Sequence, residues 1–222
     1  MSDISKATID FKNELLRKSI HLCSLSIPIV YYFITRELML TILVPLLVIS
    51  LIIDFGRHLS PSLKVITIKL FGKIMREHEI DETKKNLSGA SYVLIAAVCV
   101  IFAMPKIFAV TGFAILIIGD ISAALFGRRF GKHKFLMKSL EGTLAFFVTA
   151  SIVILIAPKI EGLMMEYFIG IFAAAVGAIA ENLSYGWADD NLTIPISIGF
   201  TMWGLYALLL PDLPLILANV PV

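Results

Sequence analysis

Asp120 sits inside an apolar run, seven residues ahead of Gly127. Arg128, Arg129, Gly131, Lys132, His133 and Lys134 follow, and then Lys138, Ser139, Glu141 and Gly142. A carboxylate in lipid is costly unless a cation, a metal ion or water meets it, so an intramembrane acid marks a functional site by default. At about 1.5 Å of rise per residue, Asp120 lies on the order of 10 Å below the membrane surface. Glycines let backbone N–H groups approach an anion closely, while Arg forks and Lys ammonium groups neutralise phosphate oxygens. Gly127, Arg128, Arg129, Gly131, Lys132, Lys134, Lys138, Ser139 and Gly142 are therefore candidates for holding a nucleotide triphosphate. The plain alternatives are a basic flank that orients a span and, for Asp120, a salt bridge to a neighbouring helix. The stretch GRRFGK lacks the spacing of a Walker A loop.

Two further groups carry polar chemistry. Glu181-Asn182 is followed by Asp189-Asp190-Asn191, just before an apolar run that opens at Thr193-Ile194-Pro195. Carboxylates beside an amide are hard oxygen ligands of the kind Mg²⁺ takes, with phosphates completing the shell. A helix cap would also explain one acid here, but not a doubled one. Near the start of the chain, Glu14, Arg17, Lys18 and His21 recur at i, i+3, i+4 and i+7. That spacing makes one helix face, either a second cationic and hydrogen-bonding wall or an orienting flank. His58, His78 and His133 are scattered and support no zinc site, and no Ser-His-Asp triad can be assembled.

The elements that must position these residues are membrane spans. The chain is 58% hydrophobic and 16% charged, with a mean hydropathy of +0.89, against about 45–50% apolar and roughly 25% charged for a soluble domain. The reading is an all-α, polytopic membrane bundle forming a single catalytic domain over residues 1–222. Apolar segments fall at about 19–35, 38–53, 89–104, 107–127, 143–157, 164–181 and 193–210. Cys23 and Cys99 lie in apolar runs without paired spacing and read as packing residues. The polar N-terminal segment has no apolar core ending in a cleavage site, so no signal peptide is expected.

Charge distribution sets the expected orientation. With the N-terminus cytoplasmic, the inside segments hold all but Arg36, Lys106 and Lys159 of the 19 basic residues, as the positive-inside rule requires of a seven-span topology. Between the second and third spans, residues 54–88 form a cytoplasmic loop. Within it, Ser60-Pro61 is a helix start. Leu63, Ile66, Leu70 and Ile74 alternate there with Lys64, Lys69, Lys73 and Arg76, the pattern of an amphipathic helix on a membrane surface. The second, fourth and sixth spans each deliver an acid near the cytoplasmic end: Asp54, Asp120 and Glu181. Phe55-Gly56-Arg57 and Phe126-Gly127-Arg128 close the second and fourth. Small residues on one face of the fourth span (Ala123, Ala124, Gly127, Gly131) and of the sixth (Gly170, Ala174, Gly177) allow close helix packing.

Together, Glu14-x-x-Arg17-Lys18-x-x-His21, the block from Gly119-Asp120 to Lys138-Ser139-x-Glu141-Gly142, and Asp189-Asp190-Asn191-Leu-Thr-Ile-Pro195 resemble the CTP-dependent lipid-alcohol kinases. That family comprises dolichol and polyprenol kinases, phytol kinases and CTP-dependent diacylglycerol kinases. The resemblance implies transfer of the γ-phosphoryl group of CTP to a membrane alcohol with Mg²⁺. It implies Asp120, Lys138 and Glu141 as catalytic residues, and the basic block with Arg17 and Lys18 at the nucleotide. Asp189, Asp190, Asn191 and Asp120 are the candidate metal ligands, with His21, Asp54 and Glu181 as further site candidates. Asp120 is either a metal ligand or the acceptor of the hydroxyl proton. The middle block also resembles CDP-diacylglycerol synthases, which act on phosphatidate. Their usual His-Gly-Gly and Leu-Asp-Arg block is absent here, which favours the kinase. An ion or proton transporter is the alternative from another class; against it, the acids cluster near one face. The expected setting is the cytoplasmic membrane with the site facing the cytoplasm, and no nucleic-acid partner.

Overall fold

The computed structural model describes residues 11–72, 87–184 and 189–222. Its helices are α1 (Phe11–Cys23), α2 (Ser26–Phe33), α3 (Arg36–Leu59), α4 (Pro61–Phe71), α5 (Gly89–Ala103) and α6 (Lys106–Phe130), then α7 (Leu140–Ile156), α8 (Met164–Leu183) and α9 (Asp190–Leu209). A two-stranded antiparallel hairpin, β1 (Lys134–Phe135) and β2 (Lys138–Ser139), pairs Lys134 with Ser139 and Phe135 with Lys138 between α6 and α7. Among the described residues, four helices, α3, α6, α8 and α9, are long and apolar enough to cross a membrane. The apolar helices α5 and α7 have 15 and 17 residues, short of the roughly 20 that a perpendicular span needs.

The helix α6 is the axis of the bundle. In its most apolar window 72% of residues are buried, against 17% for α3, and it packs on α1, α2, α5, α7, α8 and α9. The peripheral α3 instead exposes Ile49, Ile52 and Phe55, an apolar surface suited to hydrocarbon. Cross-helix contacts fix the directions. Lys18 meets Asp120, Glu14 meets Arg128 and Tyr31 stacks under Lys106, so α1 and α2 together run antiparallel to α6 along its length. Ser50 and Ser91 join α3 to α5, while Tyr206 reaches Phe108 and Glu166. The C-terminal ends of α3, α6 and α8 therefore share one end of the bundle with the N-terminal ends of α1, α5, α7 and α9.

The first apolar segment is broken rather than continuous. Pro28 has no N–H to offer the Ser24 carbonyl, and that oxygen instead accepts from Ile27 N at 3.0 Å. The turn at Ser24-Leu25 separates α1 from α2. Other boundaries also differ from the sequence reading. α3 continues through Asp54 and Arg57, and α6 through Arg128 to Phe130. Both Phe-Gly-Arg triplets are thus helical, and only the end of the basic stretch is loop. α9 starts at Asp190, because the Asp189 carboxylate caps Asn191 N at 2.9 Å. Pro195 is consequently inside that helix, not at its start. α4 begins after Ser60 as expected and exposes Leu63, Ile66 and Leu70. Lys6, Lys73, Ile74, Arg76, His78, Lys84 and Lys85 lie outside the described residues.

α6 and α7 meet backbone to backbone. A Cβ on Gly142 would sit 3.0 Å from the Ala123 carbonyl oxygen and 3.3 Å from Gly127 Cα, so the approach depends on the missing side chains. Gly142→Val should lower the stability of the detergent-solubilised protein by about 1–3 kcal/mol through overpacking, read as a lower thermal midpoint. Gly204→Ala, which has open space around it, should not lower it. Equal midpoints for the two variants would refute the close-contact argument.

Candidate functional site

The buried face of α1 supplies the first half of the site. Lys18 and Glu14 are four residues apart, one turn along that face, and both are almost completely buried. The Lys18 ammonium donates to Asp120 Oδ2. His21 Nε2, one further turn along, lies 3.4 Å from the same oxygen. Glu14 is gripped by Arg17 at 2.6 Å and by Arg128 at 3.2 Å. Asp120 therefore has a basic partner on a neighbouring helix, the plain alternative named from its sequence, and that partner belongs to the charged N-terminal face. An ion pair taken out of water holds only when each charge meets its counterpart. The pairing fixes α1 against the end of α6.

The second half comes from the hairpin, α8 and α9. Lys138, on β2, donates from Nζ to Glu181 Oε1 at 2.6 Å and lies 3.8 Å from Asp190 Oδ2. Asp190 acts through space on Lys18 and His21, and both Asp190 and Asp120 act on Glu181. The two halves therefore form one electrostatic cluster: Lys18, His21, Asp120, Lys138, Glu181 and Asp190. Its acids are all buried. Residues separated by more than 160 positions in the chain converge there because α1, α6, α8 and α9 bring their polar ends to one side of the bundle.

The other candidates fall around this cluster. Ser139 caps α7 by accepting from Gly142 N at 3.2 Å, and its side chain is the one that Cβ atoms on Gly127, Gly131 and Gly142 would meet. Those glycines, with Ser139, form a packing seam between α6 and α7. Arg129 lies over the Phe130 ring at 5.6 Å, while Lys132 and Lys134 are exposed. Asp189 Oδ1 accepts from both N and Nδ2 of Asn191, at 2.9 and 2.7 Å. That oxygen holds the helix start, and the Asn191 amide N–H points to the acids. Asp54 accepts from Ser88 N, Ser88 Oγ and Ser91 Oγ at 2.8, 2.8 and 2.6 Å, with Arg57 Nε 3.2 Å away. These partners join α3 to the start of α5.

Glu141 stands ahead of the apolar run of α7 and faces the loop before the hairpin. Its carboxylate accepts from His133 N at 3.2 Å and contacts His133 Nδ1 at 2.8 Å. Its own backbone N–H, and then the contacts with His133 and Lys132, hold its carboxyl down to about 2. The residue least visible in the sequence is Asn182. Fully buried, it accepts at Oδ1 from Met137 N (2.9 Å) and Lys138 N (3.2 Å) and donates from Nδ2 to Thr143 Oγ1 at 2.6 Å. The available signal was an amide next to Glu181 at the end of an apolar helix, which reads equally well as a ligand.

Among the described residues, no group of three or more His, Cys, Asp or Glu side chains is placed to hold a metal ion. A Mg²⁺ ion fits here only in the form that uses one or two carboxylates and takes its remaining oxygens from phosphates and water. Asp189 and Asp190 are adjacent carboxylates of the chemical type that such a site uses.

Two expectations follow from the ion pairs. Lys18→Met should destabilise the protein by about 3–5 kcal/mol by stranding the Asp120 carboxylate. Adding Asp120→Leu should recover most of the lost thermal midpoint; additive losses would refute the pairing. Because the Glu141 carboxyl is depressed, its contact with the loop is fully present above its ordinary value of 4.5 and is lost as pH falls through about 2. The His133 amide should keep its protection from neutral pH to about 4, and loss of protection already near pH 5 would contradict the geometry.

No family model matches the chain, and no solved structure matches it. It is 31% identical to the phytol kinase of Synechocystis over 110 residues, covering 44% of each chain. It is 31% identical over 192 residues to the Uncharacterized protein RP860 of Rickettsia prowazekii, covering 86% of this chain and 93% of that one. On that near end-to-end match, the chain belongs to the same family as the Rickettsia protein.

Proposed function

We propose that this protein is a membrane-embedded kinase that transfers the γ-phosphoryl group of CTP to a lipid alcohol. The observation that carries the reading is the placement of two buried charge groups, Lys138 with Glu181 and Asp190, and Lys18 and His21 with Asp120, at the same end of an apolar bundle. The partial likeness to a phytol kinase supports a kinase that acts on a lipid. A lipid alcohol keeps its chain in the bilayer and brings only its hydroxyl to the helix ends. A nucleotide arrives from water on that side, in this reading the cytoplasmic one, where the positive-inside rule puts an excess of Lys and Arg.

Phosphoryl transfer through a loose transition state asks mainly for positioning and charge neutralisation. Lys132, Lys134 and Arg129 meet the triphosphate from the solvent side. Lys138 reaches the transferred group from the buried side. The lipid hydroxyl oxygen bonds to the γ-phosphorus as the bond to the β-phosphate oxygen breaks, and CDP leaves. Asp120 orients the hydroxyl and takes its proton. In a loose transition state the hydroxyl proton moves late, so little is asked of the group that takes it. Mg²⁺ held by Asp189 and Asp190 would neutralise phosphate oxygens.

The decisive assay uses purified protein and CTP labelled at the α or the γ phosphate, with lipid alcohols and phosphatidate offered as acceptors. γ-Label in the lipid is expected. α-Label in the lipid with release of pyrophosphate would replace the kinase by a cytidylyltransferase, and no transfer by folded protein would end the enzyme reading. Lys138→Met should lower transfer by about 10²–10³-fold, as loss of a preorganised charge does. Near-normal transfer would remove Lys138 from the centre of the mechanism.

A further inference from the structure

Lys138 is held at both ends by consecutive residues of α8. Glu181 takes its ammonium group, while Asn182 takes its backbone N–H together with that of Met137. Neighbours on a helix point about 100° apart, which lets one grip the side chain and the other the main chain. The turn they hold is strained. Leu136 has φ 49°, in the left-handed region that a bulky residue seldom adopts and that a two-residue hairpin requires. Strain of this kind persists only where surrounding contacts over-determine it, and it concentrates at functional sites. The Asn182 amide is oriented in turn by Thr143 Oγ1, so α7 and α8 jointly set the hairpin's position.

We infer that Asn182 is a positioning residue: it locks the strained Leu136-Met137 turn so that the Lys138 ammonium is presented to the phosphates in one place. The inference rests on the kinase reading for what Lys138 does, though not for where Lys138 is held. A simple packing role would have no use for a buried amide whose donor and acceptor both have assigned partners. An apolar residue of that size would fill the space without ordering the turn. Because the amide holds the main chain and not the ammonium, its loss leaves the charge in the protein and removes only its fixed position. The signature is therefore a mobile lysine, not a missing one.

The test combines trace amine acetylation, read by mass spectrometry, with kinetics on the full-length protein. In Asn182→Ala, Lys138 should become at least several-fold more reactive, while Lys18, buried on α1, keeps its low reactivity. The kcat/KM for CTP should fall by about 10- to 100-fold, the cost of a misplaced group, and the KM for the lipid alcohol should not change. In a Lys138→Met background, Asn182→Ala should add little further loss. Unchanged Lys138 reactivity, a parallel rise at Lys18, or additive losses would overturn the inference. If Asn182→Ala does not fold, Thr143→Val removes only the group that orients the amide and should raise Lys138 reactivity by a smaller factor; no rise there overturns the inference as well. If the wild-type protein transfers no γ-phosphoryl group, the kinase reading falls, and the labelling still decides whether Asn182 positions Lys138.

Discussion

A carboxylate carried into an apolar bundle must meet a positive charge, and most of the arrangement at this end of the molecule answers that requirement at Asp120. The partner is Lys18, itself almost wholly buried. Neither group is tolerable alone in such surroundings, so the pair commits α1 to one place and one direction beside α6. The Glu14–Arg128 contact repeats the constraint further along the same two helices. Two contacts on antiparallel elements fix a register where one would fix only a distance. They make α1 part of the charged cluster at this end of the bundle.

The remaining helices pack around α6 under a different rule. Where α6 meets α7, glycines remove the side chains that would hold the backbones apart, and Ser139 fills the seam they leave. The chain between these two helix ends is a hairpin with a strained turn. Polar bonds from α8 then hold the hairpin. Packing of small residues and satisfaction of buried polar groups act in sequence here: the first brings the helix ends together, the second orders what lies between them.

The opposite end of the bundle shows the same physics without a cluster. Lys106 donates to the carbonyls of Ile34 and Pro221, and Lys159 to those of Ile154 and Ala157. Glu166 accepts from the amides of Ile160, Glu161 and Leu163 and from the Tyr206 hydroxyl. Here the charges are met by neutral carbonyls, amides and a hydroxyl, some close in the chain and some distant, which tie loops and helix ends together. At the other end, acids and lysines from distant parts of the chain meet one another. The two ends thus differ in that one pairs charges with neutral groups and the other pairs charges with charges.

Much of this was legible in the residues themselves. Hydropathy marked the helical segments, because burial in lipid demands long apolar runs. The spacing of Glu14, Arg17, Lys18 and His21 marked one face, because helical periodicity is local. The cost of an intramembrane acid singled out Asp120. Three-dimensional packing decided which cation Asp120 meets, since pairing depends on which helices are neighbours. It also decided that Asp54 secures the start of α5, that Asp189 caps α9, and that the Asn182 amide bonds the backbone of Met137 and Lys138. Residue type states what a side chain can bond. Only the packed bundle, by setting which groups lie within about 3 Å of one another, determines what it does bond.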